Sequence, residues 1–318
     1  VRLALTGTPV ENAVRDLWSL YAFLLPGYLG SREDFKNRYE ASLSGTRPDE
    51  NVLRRLRMRV EPFMIRRTKS EVAKDLPKKL EQVLWCEPSK LQKQAYAEIL
   101  RQGVSKVDTM EGGSARMQML TVLLRLRQAS CDLRLLGSEE IDAKELSLLS
   151  VKLEMLVDLL HEAKRGGHRV LIFSQFTQML GFIRETLDKE EISYAYLDGS
   201  TRDRSGEVRK FQQDNGPDTF LISLKAGGYG LNLTAADTVV HFDPWWNPAV
   251  EAQATDRAYR IGQTKPVSVY KLIAKGTVEE KILRLQDKKR GLIGAAIGDE
   301  AQPMMSGLSE SDMRDLLS

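Results

Sequence analysis

From Ser150 onward the chain alternates short apolar runs with amphipathic ones, and this alternation constrains the fold more than any other feature. "RVLIFS", "SYAYLDG", "TFLISLKA", "TVVHFD" and "VSVYKLIA" read as strands. "VKLEMLVDLLHEAKRGG", "FTQMLGFIRETLDKE", "RDRSGEVRKFQQ", "PAVEAQATDRAYRIG" and "TVEEKILRLQDKKRG" read as helices before, between and after them. The strands are apolar at successive positions, so both of their faces are buried; a sheet with one wet face would alternate apolar with polar. The pattern predicts an α/β fold with a parallel sheet and helices on both faces. In such sheets, sites form in loops beyond the carboxyl ends of the strands.

The first half is less regular. "VRLALTGTP" reads as a buried strand running into a turn, an abrupt start expected of a truncated or divided protein. "ENAVRDLWSLYAFLLPG" is an amphipathic helix ended by Pro26 and Gly27, and a charged helical stretch follows to about Arg67. "KLEQVLWCEPS" offers a strand, and residues 90–101 a helix. "GVSKVDTMEGGSAR" reads as a polar, glycine-rich interruption. "MQMLTVLLRLRQASCDLRLL" is apolar around most of its circumference, which predicts a helix with little exposure. "GSEEIDAKELSL" reads as a linker or surface loop, and no repeat of fixed period occurs.

Length and composition narrow the class. The 318 residues suggest roughly two domains of about 150 residues each. With 42% hydrophobic and 29% charged residues, the balance is that of a globular protein. No apolar run of about 18 residues predicts a membrane span, and no secretory signal leads the chain. Cys86 and Cys131 are far apart, and His161, His168 and His241 are scattered, so neither a disulfide framework nor a metal site is expected. The net charge of +3 is uninformative, but residues 51–80 hold ten basic side chains against three acidic ones. That run is either a solvated face or a phosphate-facing patch.

Polar, glycine and aromatic residues gather beyond the strands. Ser174 and Gln175 follow "VLIF"; Lys225, Gly227, Gly228, Gly230 and Asn232 follow "LIS"; Asp243, Trp245, Trp246 and Asn247 follow "VVHF". Small polar side chains and exposed backbone N–H groups suit phosphate oxygens. The glycines also suit a plain turn, and the tryptophans suit core packing as well as base stacking. Gln253, Arg257 and Arg260 are spaced i, i+4, i+7, which places them on one face of a helix. The residues alone leave two readings of the arginines: cations complementing a helix end, or guanidinium forks that stabilise charge in phosphoryl transfer.

Taken in order, the segments resemble the later half of the Swi/Snf-like DNA-translocating ATPases of helicase superfamily two. "LALTGTPVEN" resembles that family's third motif and "MIRRTKSEVAKDLPKK" its basic crossover. "VLIFSQFTQML", "YLDGSTRDRSGEVRKF", "FLISLKAGGYGLNLTAAD" and "HFDPWWNPAVEAQATDRAYRIGQ" resemble the remaining motifs, and "GTVEEKIL" the closing helix. The short gap between Gly199 and Arg204, together with "AYRIGQ", is similar to bacterial members.

The resemblance implies RecA-like lobes with ATP and Mg2+ between them and double-stranded DNA across both. Residues 1–70 would be the remainder of the first lobe, 71–290 the second lobe with a helical insertion at about 87–149, and 291–318 a tail. Arg257 and Arg260 would reach the nucleotide, supported by Gln253, Gly228 and Gly230. Ser174, Gln175, Lys225 and Asn232 would lie near the DNA backbone, and Thr6, Gly7 and Thr8 would link ATP state to DNA contact. DNA-bound proteins would be the remodelling targets, in the bacterial nucleoid, or in the nucleus of a eukaryote.

Two expected elements are missing from these residues. No GxxxxGK[ST] sequence supplies a phosphate-cradling loop, and no strand ends in an Asp-Glu pair to hold magnesium; Asp49-Glu50 sits in a polar stretch. The family carries both before its "TGTP" motif. The expectation is therefore a carboxyl-terminal half without ATPase activity of its own, its arginines pointing to solvent. The alternative is a stand-alone, non-catalytic DNA- or partner-binding module.

Overall fold

The computed structural model describes residues 1–5, 14–43, 49–65, 67, 71, 73, 75–137, 146–226, 231–297, 308 and 310–318. Thr6, Gly7, Thr8, Gly228 and Gly230 lie outside them. The chain divides into two compact units: Val1–Val72 with Trp246–Ala249 and Arg284–Asp315, and Ala73–Trp245 with Val250–Leu283 and Leu316–Ser318.

The larger unit is built on one six-stranded sheet: β1 (Lys79–Cys86), β2 (Val170–Ser174), β3 (Tyr194–Leu197), β4 (Thr219–Ser223), β5 (Thr238–His241) and β6 (Val267–Ala274). Their order is β1-β6-β5-β2-β4-β3 and every pairing is parallel. Successive side chains of a strand point to opposite faces, and the two cores divide accordingly. Val170 and Ile172 of β2 enter one core, with Leu153, Leu156, Ile183 and Leu187 of the covering helices. Leu171 and Phe173 enter the other, with Phe211 and Ala254. The parallel α/β arrangement expected of the alternating pattern, with both faces covered, is therefore present. Edge strand β1 keeps its first four residues exposed, with Lys79 paired to Glu81 at 2.8 Å; charge on an edge discourages pairing with other chains.

Within Val1–Val72 of the smaller unit lie α1 (Arg15–Leu24) and α2 (Glu50–Val60), with a helical run between them from Arg32 to Leu43. Leu17, Tyr21, Phe35, Tyr39 and Leu56 form its core, and the Tyr21 hydroxyl donates to the Val60 carbonyl at 2.6 Å. Asp49 caps α2, accepting from the Asn51 N–H at 2.9 Å. Part of the basic run is also structural: Arg57 pairs with Glu61 at 3.5 Å and the Arg59 guanidinium lies over the Tyr28 ring at 5.4 Å.

The remaining helices of eight residues or more are α3 (Lys90–Val107), α4 (Gly112–Cys131), α5 (Val151–Arg165), α6 (Thr177–Lys189), α7 (Arg204–Gln212), α8 (Pro248–Thr255), α9 (Val278–Ile297) and α10 (Glu310–Leu317). Three differ from expectation. Residues 1–5 form no strand, and Leu3 and Leu5 are exposed, because no strand among the described residues pairs with them. The glycine-rich interruption is mostly helix: α3 continues through Gly103, where a Cβ would stand 2.5 Å from Val122 Cγ1. That glycine permits close approach of α3 and α4; it does not break the helix. Helix α8 stops at Thr255, short of both arginines. Among the described residues no helix is long and apolar enough to cross a membrane, and no group of three or more His, Cys, Asp or Glu is placed to hold a metal ion.

Candidate functional site

The described site residues fall at both ends of the sheet, where the sequence pattern expects Ser174, Gln175, Lys225 and Asn232 beyond the carboxyl ends of the strands. At the carboxyl edge, β2 ends on Ser174 and β5 leads into Asp243. Asp243 is 3% exposed. It accepts from the Ser174 hydroxyl at 2.5 Å, the Gln175 side-chain amide at 2.6 Å and the Gln175 backbone N–H at 3.3 Å. Burial pushes the Asp243 carboxyl up, opposed first by the Arg127 charge and then by the Ser174 hydrogen bond.

Arg127 completes this cluster, and the sequence reading missed it. It lies on α4 and is 2% exposed. Its Nη1 donates to Gln175 Oε1 at 2.8 Å, its Nη2 to the Pro244 carbonyl at 2.6 Å, and Asp243 Oδ2 stands 3.7 Å away. The guanidinium lies over Phe176 at 5.7 Å and Trp245 at 5.4 Å. A signal was available: Arg127 follows buried Met119 and Leu123 by steps of four residues, so it shares their inward face. Gln175 uses both ends of its side chain here, the oxygen toward Arg127 and the nitrogen toward Asp243. Trp245 packs against the second core, and its backbone N–H donates to Glu251 at 2.7 Å. Lys225, two residues past β4, is exposed beside this cluster, where the Leu224 N–H donates to the Ser174 carbonyl at 2.8 Å.

Asn232, Arg257 and Arg260 lie at the opposite edge. The chain returns there before β5 begins, as the Asp237 N–H donates to the carbonyl of Arg169, the residue before β2. Helix α8 runs back from the carboxyl edge, so residues after Thr255 also sit at the amino edge. Beyond Thr255 the backbone makes tight turns: the Arg257 N–H donates to Ala254 at 3.1 Å and the Arg260 N–H to Ala258 at 3.0 Å. The helical face expected to carry Gln253, Arg257 and Arg260 therefore does not extend past Gln253, which is half-buried in α8.

The arginines also differ in exposure. Arg257 is 7% exposed, contrary to the expected solvent-facing pair, while Arg260 is exposed. Burial lowers the affinity of Arg257 for its proton, and the neighbouring Arg260 charge lowers it further. The Arg257 carbonyl accepts from the Leu233 N–H at 3.0 Å, and Arg260 Nη1 donates to the Leu231 carbonyl at 3.4 Å. Asn232, exposed between Leu231 and Leu233, thus belongs spatially with the arginines and not with Lys225. Two guanidinium groups within electrostatic reach of each other suit an anionic ligand such as a polyphosphate.

Comparison with known proteins agrees with this architecture. Residues 1–135 match the SNF2-related domain and residues 151–262 the helicase conserved C-terminal domain. An uncharacterized ATP-dependent helicase of Mycoplasma pneumoniae is 37% identical over 98% of this chain, and the putative ATP-dependent helicase/translocase YwqA of Bacillus subtilis is 39% identical over 99%. The chain spans only 29% and 34% of those two relatives. The Sulfolobus solfataricus SWI2/SNF2 ATPase core in complex with double-stranded DNA is 36% identical with a TM-score of 0.61, covering 99% of this chain and 66% of that one. The C-terminal domain of the S. solfataricus SWI2/SNF2 ATPase is 31% identical with a TM-score of 0.59, covering 75% of this chain and 98% of that one. The chain belongs to the SWI2/SNF2 family of ATPases.

Proposed function

We propose that these residues form the carboxyl-terminal half of an ATP-dependent translocase or remodelling ATPase stimulated by double-stranded DNA. Residues 1–70 are the remainder of its first lobe, 71–290 its second lobe with the insertion at about 87–149, and 291–318 a tail. The observation that carries the reading is the amino-edge pair, a buried Arg257 and an exposed Arg260 on one anchored segment. ATP supplies a transferable γ-phosphoryl group whose charge rises in the transition state. Arg257 and Arg260 bind and orient that group, with Gln253 and the turn of Gly228 and Gly230 in support. Among the described residues no group of three or more His, Cys, Asp or Glu is placed to hold a metal ion, so this reading assigns the ligands of Mg2+ to the first lobe.

On the same reading, Lys225 contacts the DNA backbone, and the turn of Ser174 and Gln175, stiffened by Asp243 and Arg127, shapes the surface beside it. Asn232 lies close enough to the arginines to sense both ligands. The segment Thr6, Gly7 and Thr8 links ATP state to DNA contact, and DNA-bound proteins are the targets displaced. These 318 residues alone hydrolyse no ATP, since they hold no phosphate-cradling loop. Phosphate release from the pure chain with DNA present contradicts that statement. The finger assignment is tested by Arg260→Ala in the enzyme that joins these residues to a phosphate-binding loop. Hydrolysis is lost while DNA binding persists; turnover within about threefold of wild type, under roughly 0.7 kcal/mol in barrier, contradicts it.

A further inference from the structure

Gln263 closes the arginine segment, one residue past the stretch matching the helicase C-terminal domain. Its side chain is 6% exposed. Nε2 donates to the carbonyls of Ala236 at 2.7 Å, Thr234 at 3.2 Å and Ala258 at 3.2 Å. Oε1 accepts from the backbone N–H groups of Lys265 at 2.9 Å and Thr264 at 3.0 Å. A carboxamide carries a donor and an acceptor on one short stem, and both are used here. A carboxylate of the same length lacks the donor, and leucine lacks both.

The carbonyl partners of Gln263 come from two stretches of chain. Ala258 lies between Arg257 and Arg260. Thr234 and Ala236 end the turn that holds Asn232. The bonds already described from Leu233 to Arg257 and from Arg260 to Leu231 join the same two stretches. Asn232 is therefore flanked on both sides by residues bonded to the arginine segment. Past Thr255 the backbone turns out of the helix, with the Tyr259 N–H still bonded to the Thr255 carbonyl at 3.0 Å, and these cross-links tie the segment to the 231–236 turn.

We infer that Gln263 is a positioning residue that locks the 257–260 segment onto the 231–236 turn, so that both arginines and Asn232 move as one body. The inference rests on the nucleotide-facing role proposed for Arg257 and Arg260. A displacement of the Asn232 turn is then passed directly to the arginines, which gives DNA contact a route to ATP hydrolysis.

Two measurements test it. The first uses amide hydrogen exchange on this 318-residue chain and needs no activity. In Gln263→Leu the Leu233 amide exchanges at least about tenfold faster, while the β2 amides of Leu171 and Ile172 keep their protection. Unchanged exchange at Leu233, or equal losses in β2, overturns the inference. The second uses the enzyme that joins these residues to a phosphate-binding loop. In Gln263→Glu the introduced carboxylate faces three carbonyl oxygens and cannot donate until it is protonated. The DNA-stimulated kcat falls at least about tenfold at pH 8 and recovers relative to wild type as the pH drops toward about 6, with DNA affinity unchanged. A constant ratio to wild type across that range overturns the positioning role, since a general loss of fold carries no such signature. Arg260→Ala is measured alongside. If it is inactive while Gln263→Glu matches wild type, the positioning claim fails and the nucleotide reading stands. If Arg260→Ala matches wild type, the nucleotide reading fails, and hydrogen exchange still decides whether Gln263 holds the segment.

Discussion

The two edges of one parallel sheet hold their polar groups by different means. At the carboxyl edge, Ser174, Gln175, Asp243 and Arg127 bond to one another in a buried cluster, and the exposed charge beside it is Lys225. At the amino edge, a glutamine side chain and backbone carbonyls hold a segment that brings two like charges together. A network closed on itself stiffens a turn and presents a surface. The amino-edge segment instead sets two guanidinium groups within electrostatic reach of each other, with the Asp256 carboxylate beside Arg257. On the function proposed above, the first edge faces a long polyanion and the second a compact one.

The largest effect expected from breaking this comparison is at the amino edge. In the joined enzyme, Arg260→Ala lowers steady-state turnover about a thousandfold, about 4 kcal/mol in barrier, and leaves DNA affinity unchanged. At the carboxyl edge the matching change is in stability. Arg127→Leu leaves the buried Asp243 carboxylate without its countercharge and costs about 3 kcal/mol in urea unfolding. Adding Asp243→Asn to that variant recovers at least about 1 kcal/mol, because it removes the buried charge. If both variants are equally unstable, the cluster is held by packing and not by charge.

A third prediction concerns α8, which spans the sheet between the edges. His241 is buried, bonded to the Thr255 hydroxyl at 2.9 Å, and burial lowers its pKa from 6.5 to about 4. The unfolded chain therefore binds a proton that the folded chain refuses between those values. Stability is complete above about pH 6.5 and falls as the pH drops toward 4, by about 2 kcal/mol at pH 5. His241→Gln flattens that decline; an unchanged pH profile assigns it to other groups. The smallest effect is at Lys225. Its change to alanine weakens DNA binding by about tenfold and reduces the salt slope by about one ion.

The parallel sheet was legible because strands buried on both faces are apolar at every position, as in "VLIF" and "LIS". The amino-edge site was only half legible. The spacing of Gln253, Arg257 and Arg260 fits a helix, yet the backbone leaves the helix at Thr255. What fixes residues 257–263 is a set of carbonyls near Thr234 and Ala236, over twenty residues earlier, and periodicity cannot report a non-local partner. Arg127 was hidden for a different reason: beside Arg116 and Arg125 on the same helix, it reads as one more surface cation. Only its four-residue steps from Leu123 and Met119 mark it as inward-facing. Gly103 misled in the reverse direction, since a glycine that permits close packing carries the same letter as one that ends a helix.

The central claim is that the amino edge serves hydrolysis and the carboxyl edge serves DNA. It is tested most directly by measuring ATP turnover at saturating DNA, together with DNA affinity across a salt series, for Arg260→Ala and Lys225→Ala in the joined enzyme. The account predicts a crossed pattern. Arg260→Ala loses turnover and keeps both affinity and salt slope, whereas Lys225→Ala loses affinity and slope and keeps its turnover once DNA is saturating. Loss of both properties in both variants contradicts it.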